Sequence, residues 1–391
     1  MFMRVVFVIL FLSSSLGAFA QLKPGFNANE ATSTIAMCNS FNFIKQFGSN
    51  KNIIPEHYNK HYASDVFGMD NKFEVYTNDT TAIINYRGST DKMISWVENF
   101  YSAMIPAKGT IVIDEEVHDY IFANNDKASV HAGYGLTVVM LSNEMITQIK
   151  ALNAKGIYNI IITGHSQGGA LASLTRAYLE NVPKTILSNK NNYKTYAYAQ
   201  PMCGNKEFAE EYNKRFSMQG TSFSIINPED PVPKMPLNYE EDKLITKEKI
   251  GGWLFGNKEF KAKKLGQDAF VRLFERGLTG YVKGSNTLIN KILGLKFGKI
   301  EMPDFVADIN YYPTGTLIEI PAFTYPKVAV DITALTEKEK QDLKQDSNGK
   351  WYKKESKFFQ HKPYNYYVAV LKKWNTKTYN GLETTYLQSD L

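Results

Sequence analysis

The sequence is poor in cysteine, with two in 391 residues. That excludes a disulfide-dense scaffold and a thiolate zinc module. There is no H-E-x-x-H pattern, and the six histidines, at 57, 61, 118, 131, 165 and 361, are scattered; no metal is expected. A phosphate-cradling Gly-rich loop is also missing, and no cofactor is expected. After the first twenty residues no apolar run approaches the ~18 residues of a bilayer-spanning helix. Glycine (26) and proline (14) are too sparse for collagen-like or proline-rich low complexity. Charged residues at 21% and aromatics at 13% do not describe a disordered chain. What remains is a large globular protein.

The first twenty residues read as an address. Arg4 supplies a positive start, Val5 to Leu12 an apolar run, and Ala18-Phe19-Ala20 a small-x-small cleavage pattern. The expectation is a signal peptide over 1–20, cleavage after Ala20, and a secreted or extracytoplasmic chain starting at Gln21. Such a compartment permits a bridge between Cys38 and Cys203; two buried thiols fit equally.

Strand-like and helix-like runs alternate along the chain. Phe73–Thr77 and Thr81–Tyr86 flank Asn78-Asp79-Thr80, a hairpin signal. Thr110–Ile113 reads as a short strand and Gly135–Leu152 as a long helix. Strand Ile157–Thr163, helix Ala170–Leu179, strand Tyr196–Gln200, helix Lys206–Arg215 and strand Phe223–Asn227 follow. Buried strands alternating with helices predict an α/β fold with a mostly parallel central sheet covered on both faces.

Between the 157–163 strand and the next helix stands Gly164-His165-Ser166-Gln167-Gly168, a G-x-S-x-G pattern. In that context the glycines permit a sharp turn that projects the Ser166 hydroxyl outward. The helix start behind it offers backbone N–H groups to an oxyanion. A serine nucleophile needs a base, and in this chain order the base follows it. Only His361 does; His165, adjacent on a tight turn, points elsewhere. Of eight aspartates between Ser166 and His361, Asp230 stands out in the rigid loop Asn227-Pro-Glu-Asp-Pro-Val-Pro233. Asp304, Asp308 and Asp331 remain rivals on this reading.

These motifs carry a resemblance to the class 3 (fungal-type) triacylglycerol lipases of the α/β-hydrolase fold. Gly164 to Ala172 resembles their nucleophile turn, with Gln167 where leucine is usual. Tyr86-Arg-Gly-Ser-Thr90 resembles their aromatic-Arg-Gly-Ser/Thr segment, and Val130-His-Ala-Gly-Tyr134 the start of the helix before the elbow strand. Gln200 to Ala209 resembles a Pro-x-x-Gly-Asn-x-x-Phe-Ala stretch, and Asn227 to Pro236 the acid loop. His361 with Tyr366 resembles the terminal His-Tyr segment. The matches run in family order over 73–236 and resume near 310–370. The resemblance implies a catalytic triad of Ser166, Asp230 and His361. It also implies an oxyanion hole from Ser89 and the Gln167 backbone, and a lipid ester as substrate.

The resemblance further implies a lid after the oxyanion serine. Met93, Ile94, Trp96, Val97 and Phe100 are the candidates, with 93, 97, 100 and 104 on one helical face; a core helix would look the same. The mature chain, 21–391, is expected to be one hydrolase domain with a helical insertion at about 238–305. Residues 240–300 hold 13 Lys+Arg against 7 Asp+Glu, interleaved with Trp253, Phe255, Phe270 and other apolar residues. This suits either a solvated insertion or contact with anionic lipid surfaces; no nucleic-acid module accompanies it. The expected chemistry is two-step acyl transfer on acylglycerols, or on phospholipids with the same triad. A membrane-binding protein with a vestigial site is the alternative of another class.

Overall fold

The computed structural model describes residues 21–90, 92–236, 294, 298–308, 310–322, 329–333, 335–341, 343–354 and 359–382. The expected leader at 1–20 and most of the 238–305 insertion, including its apolar residues 253–293, lie outside these.

The N-terminal helix α1 (Ala28–Phe47) starts at Asn27, whose side chain accepts from the N–H groups of Asn29 and Glu30. Strand β1 (Asn59–Ala63) then pairs antiparallel with β2 (Phe73–Thr77), and β2 with β3 (Thr81–Tyr86). The hairpin lies where Asn78-Asp79-Thr80 predicts it, with the Asn78 side chain accepting from the backbone of Thr80 and Thr81. Helix α2 spans Met93–Phe100. Two short strands, β4 (Met104–Pro106) and β7 (Ser129–His131), pair with each other. Between them β5 (Lys108–Ile113) and β6 (Glu116–Ile121) form a hairpin, which β11 (Ile300–Glu301) joins from the end of the expected insertion.

Helix α3 (Ala132–Ala154) leads into β8 (Asn159–His165), and α4 (Gln167–Asn181) into β9 (Asn192–Tyr198). Helix α5 (Lys206–Tyr212) continues as a wider π turn over Asn213–Ser217 before β10 (Ser222–Ile226). Strand β12 (Thr316–Glu319) closes the main sheet, and α6 (Pro363–Trp374) returns across it. The seven-stranded order is β1-β2-β3-β8-β9-β10-β12, parallel from β3 onward. This is the expected α/β-hydrolase arrangement.

Period-two alternation assigns each strand residue to one of two cores. Ile84, Ile160 and Ile162 face α3 and α4, whereas Ile83, Ile161 and Ile225 face α1 and α6. Covering both faces explains why β8 reads as an unbroken apolar run. Cys38 and Cys203 lie in opposite cores and are free thiols, so the bridge that the compartment would permit is not formed.

Candidate active site

Ser166 sits between β8 and α4 at φ 60° and ψ −130°, a left-handed geometry that costs about 1–3 kcal/mol in a non-glycine residue. Close packing enforces the turn: a Cβ on Gly168 would stand 2.5 Å from the Tyr86 carbonyl. The Ser166 N–H donates to the Tyr198 carbonyl at 2.9 Å, tying the elbow to β9. The hydroxyl therefore projects above the C-terminal edge of the parallel strands, where first-turn N–H groups of α4 have no partner within the helix.

His361 reaches this hydroxyl from the loop before α6. Its Nε2 lies 2.8 Å from Ser166 Oγ, and its Nδ1 lies 2.8 Å from Asp230 Oδ2. The Asp230 side chain is fully buried, in the loop after β10. Its Oδ1 accepts from the Val232 N–H, and its Oδ2 accepts a second bond from the Tyr366 hydroxyl at 2.8 Å. That hydroxyl in turn accepts from the Asn227 N–H, so its proton is aimed at Asp230. The rival carboxylates are elsewhere: Asp308 accepts from the Asn310 N–H, Asp331 from Thr333, and Asp304 is exposed.

His165 packs its ring on His361, with centroids 4.8 Å apart, and bonds to the His361 backbone. Burial, then the nearby His361 charge, hold His165 well below the usual histidine range. It is a neutral prop rather than a second base.

Ser89 and Gln167 come together beside Ser166. A Cβ on Gly88 would approach the His165 carbonyl to 2.7 Å, so glycine lets the segment after β3 lie against the elbow. The Ser89 hydroxyl donates to Gln167 Oε1 at 2.7 Å and accepts from Asn99 Nδ2 at 2.8 Å. The Gln167 side chain is thus held from both ends, by Ser89 and by Asn71.

Helix α2 is shorter than the expected face. It ends at Phe100, and Met104 lies in β4, so the 93-97-100-104 stripe is not continuous. Among its described residues polar Ser95 and Glu98 are buried, and apolar Ile94 is half-buried against the main core. The side chains of Met93, Trp96, Val97 and Phe100 lie outside the described residues. The residues that sequence reasoning missed are therefore Glu98, Asn99 and Asn71, polar positions hidden in an apolar-looking helix and a loop. Among the described residues no three His, Cys, Asp or Glu side chains are grouped to hold a metal.

Residues 83–240 match the sequence model of the family described as Lipase (class 3). Over these residues the chain is similar to the class 3 lipases. Similar curated proteins include the secreted mono- and diacylglycerol lipase A of Penicillium cyclopium, 28% identical over 148 residues. That alignment covers 36% of this chain and 45% of that protein. The secreted mono- and diacylglycerol lipase 1 of Fusarium solani is 26% identical over 140 residues, 34% of this chain and 39% of that one. The chain thus spans under half the length of these relatives. Among solved structures, the native lipase propeptide complex of Rhizomucor miehei has 21% identity and a TM-score of 0.39. It covers 53% of this chain and 63% of that one. The lipase region contains Ser89, Ser166, Gln167 and Asp230; His361 lies beyond the matched residues.

Proposed function

We propose that this chain is a secreted carboxylic ester hydrolase that cleaves acylglycerols through an acyl-enzyme on Ser166. The observation that carries the reading is the unbroken path from Ser166 Oγ through both nitrogens of His361 to buried Asp230, each step 2.8 Å. His361 takes the Ser166 proton as the oxygen attacks the ester carbonyl, and Asp230 stabilises the imidazolium. N–H groups at Ser89 and Gln167 hold the tetrahedral oxyanion. His361 then protonates the leaving alcohol and activates the water that frees the acid.

The match of residues 83–240 to the class 3 lipases supports the reaction class, and the names of the fungal relatives point to mono- and diacylglycerols. Those names, together with the leader-like first twenty residues, support secretion. The lid role of α2 and the lipid contact of residues 240–300 belong to this proposal as well.

The test is fatty-acid release by the mature chain and its Ser166→Ala variant, on acylglycerol emulsions and on anionic phospholipid vesicles. A loss of about 10⁴-fold or more in the variant is expected, with acylglycerol the better substrate. Equal inertness of both proteins, with vesicle binding retained, would replace the hydrolase reading with a membrane-binding one.

A further inference from the structure

Behind the oxyanion segment runs a chain of buried polar side chains that the acyl-transfer steps do not use. Ser89 and Ser95 both donate their hydroxyls to Gln167 Oε1, at 2.7 and 3.3 Å. Gln167 Nε2 donates to Asn71 Oδ1 at 3.1 Å, and Asn71 Nδ2 donates to Glu98 Oε2 at 2.6 Å and to Thr137 at 3.2 Å. Glu98, Asn71, Gln167 and Ser95 are all buried.

Such a chain has a direction. Each amide presents an acceptor on one side and donors on the other, so the group at one end decides which way every amide faces. With Glu98 accepting only, Asn71 must turn its NH₂ towards it, and Gln167 must turn its carbonyl towards Ser89. The single Ser89 proton is then committed to Gln167. With Glu98 carrying a proton, it can donate to Asn71 or Gln167, and both amides can reverse. Gln167 then gives an N–H to Ser89 Oγ, and the Ser89 proton is released towards an oxyanion.

We propose that Glu98 is a positioning residue which, through Asn71 and Gln167, decides whether the Ser89 hydroxyl donates to the oxyanion. The inference rests on the acyl-transfer reading and deepens it. Glu98 Oε1 has no partner among the described residues, a place suited to a neutral acid and costly for a carboxylate. Burial raises the Glu98 pKa to about 8, against the nearby polar side chains of Asn71, Gln167 and Thr137 that lower it. Facing Glu98 from α3 are Thr137 and Tyr134, the latter stacked on His131, which burial holds neutral. Beside Asn71, the carboxylate of Asp70 is paired with Arg87 and Lys92. Below pH ~8 the acid is protonated and the Ser89 proton is free. Above it the proton leaves to solvent, and the Ser89 hydroxyl is withdrawn from the site.

The experiment has two arms on the mature full-length chain. In the first, kcat and KM for a water-soluble short-chain ester are followed from pH 6 to 10. Wild type should lose about a hundredfold in kcat above pH ~8, the low side of the cost of one oxyanion donor, with KM unchanged. Glu98→Gln, neutral at every pH, should lack that alkaline limb, as should Ser89→Ala, and the two changes should not add. In the second arm, the side-chain amide ¹⁵N shift of Gln167 is titrated in wild type, which needs no variant and no activity. It should move with a midpoint near 8. A pH-independent Gln167 amide, or an alkaline limb retained by both variants, overturns the proposal. An inert wild type with a titrating amide would sink the hydrolase reading and leave the Glu98–Gln167 coupling standing.

Discussion

At the scale of single residues, the hydrogen bonds around His361 say what each neighbour contributes. Asp230→Asn keeps the shape but offers an NH₂ where His361 Nδ1 needs an acceptor, forcing the other tautomer. Esterase kcat should fall by about 10⁴-fold, measured on a soluble ester with circular dichroism unchanged. Tyr366→Phe removes one of the bonds to a fully buried carboxylate and leaves the Asn227 N–H without its acceptor. Hydrogen bonds to charged groups contribute about 1.5–3 kcal/mol. Urea unfolding should therefore show a loss of that size, with a smaller loss of activity than Asp230→Asn. Ser166 and His361 were legible as candidates because chain order and elimination need no geometry, whereas Asp230 stood among rivals until the fold set it against His361. Glu98 was not legible: one acidic residue in an apolar run looks like a solvated face. Only packing against α3 reveals it as buried.

At the scale of elements, Gly168 joins the start of α4 to the end of β3. In Gly168→Ala the new Cβ would meet the Tyr86 carbonyl at 2.5 Å, backbone that cannot swing aside. Overpacking of this kind costs about 1–3 kcal/mol, and a shifted elbow should cost activity beyond what the lowered Tm explains. The hairpin β2–β3, the strand β8 and helices α3 and α4 follow from periodicity, because each buries a continuous apolar face. Helix α1 escaped that reading. Its buried face includes Thr32, Ser33, Thr34, Asn39 and Ser40, and Thr34 satisfies its hydroxyl on the Glu30 carbonyl. Helix α6 did carry a signal, with Pro363 at its first position and Lys372 and Lys373 in its last turn. Strand β9 ends at Tyr198, two residues before the expected Gln200, because Ala199 turns to φ 48°. Gln200 is thereby released to bond Ser173 and the Thr314 carbonyl.

At the scale of the molecule, buried titratable groups set the pH range of stability. His131 is held down to about 3 by burial, and His165 well below its usual range. A histidine with a depressed folded pKa contributes stability that is present above its unfolded value and lost as pH falls. Each should cost about 1.4 kcal/mol per pH unit below ~6.5. Glu98, with its raised folded pKa, runs the other way between about 4.5 and 8. The net expectation from pH 6.5 to 4.5 is a loss of about 1.4 kcal/mol per unit, visible as a falling urea midpoint. A flat midpoint there would count against neutral burial of both histidines. Burial also raises both thiols, Cys38 and Cys203, to about 12. Neither should react with a thiol reagent in the folded chain, both should react in denaturant, and a reductant should leave Tm unchanged.

The sequence by itself determined the alternation of strands and helices, the sharp turn at Ser166, His361 as the histidine that follows it and the layering of the sheet. Each follows from interactions within a few residues, or from a pattern that only one burial can satisfy. Tertiary structure alone decided that Asp230 rather than Asp304, Asp308 or Asp331 faces His361. It also decided that the two cysteines lie on opposite faces of the sheet, and that Ser95 and Glu98 of α2 are buried. Those outcomes depend on which distant side chains meet in a medium of low dielectric. There an unpaired polar group is costly, and the partners that relieve the cost lie tens to more than a hundred residues apart in the chain.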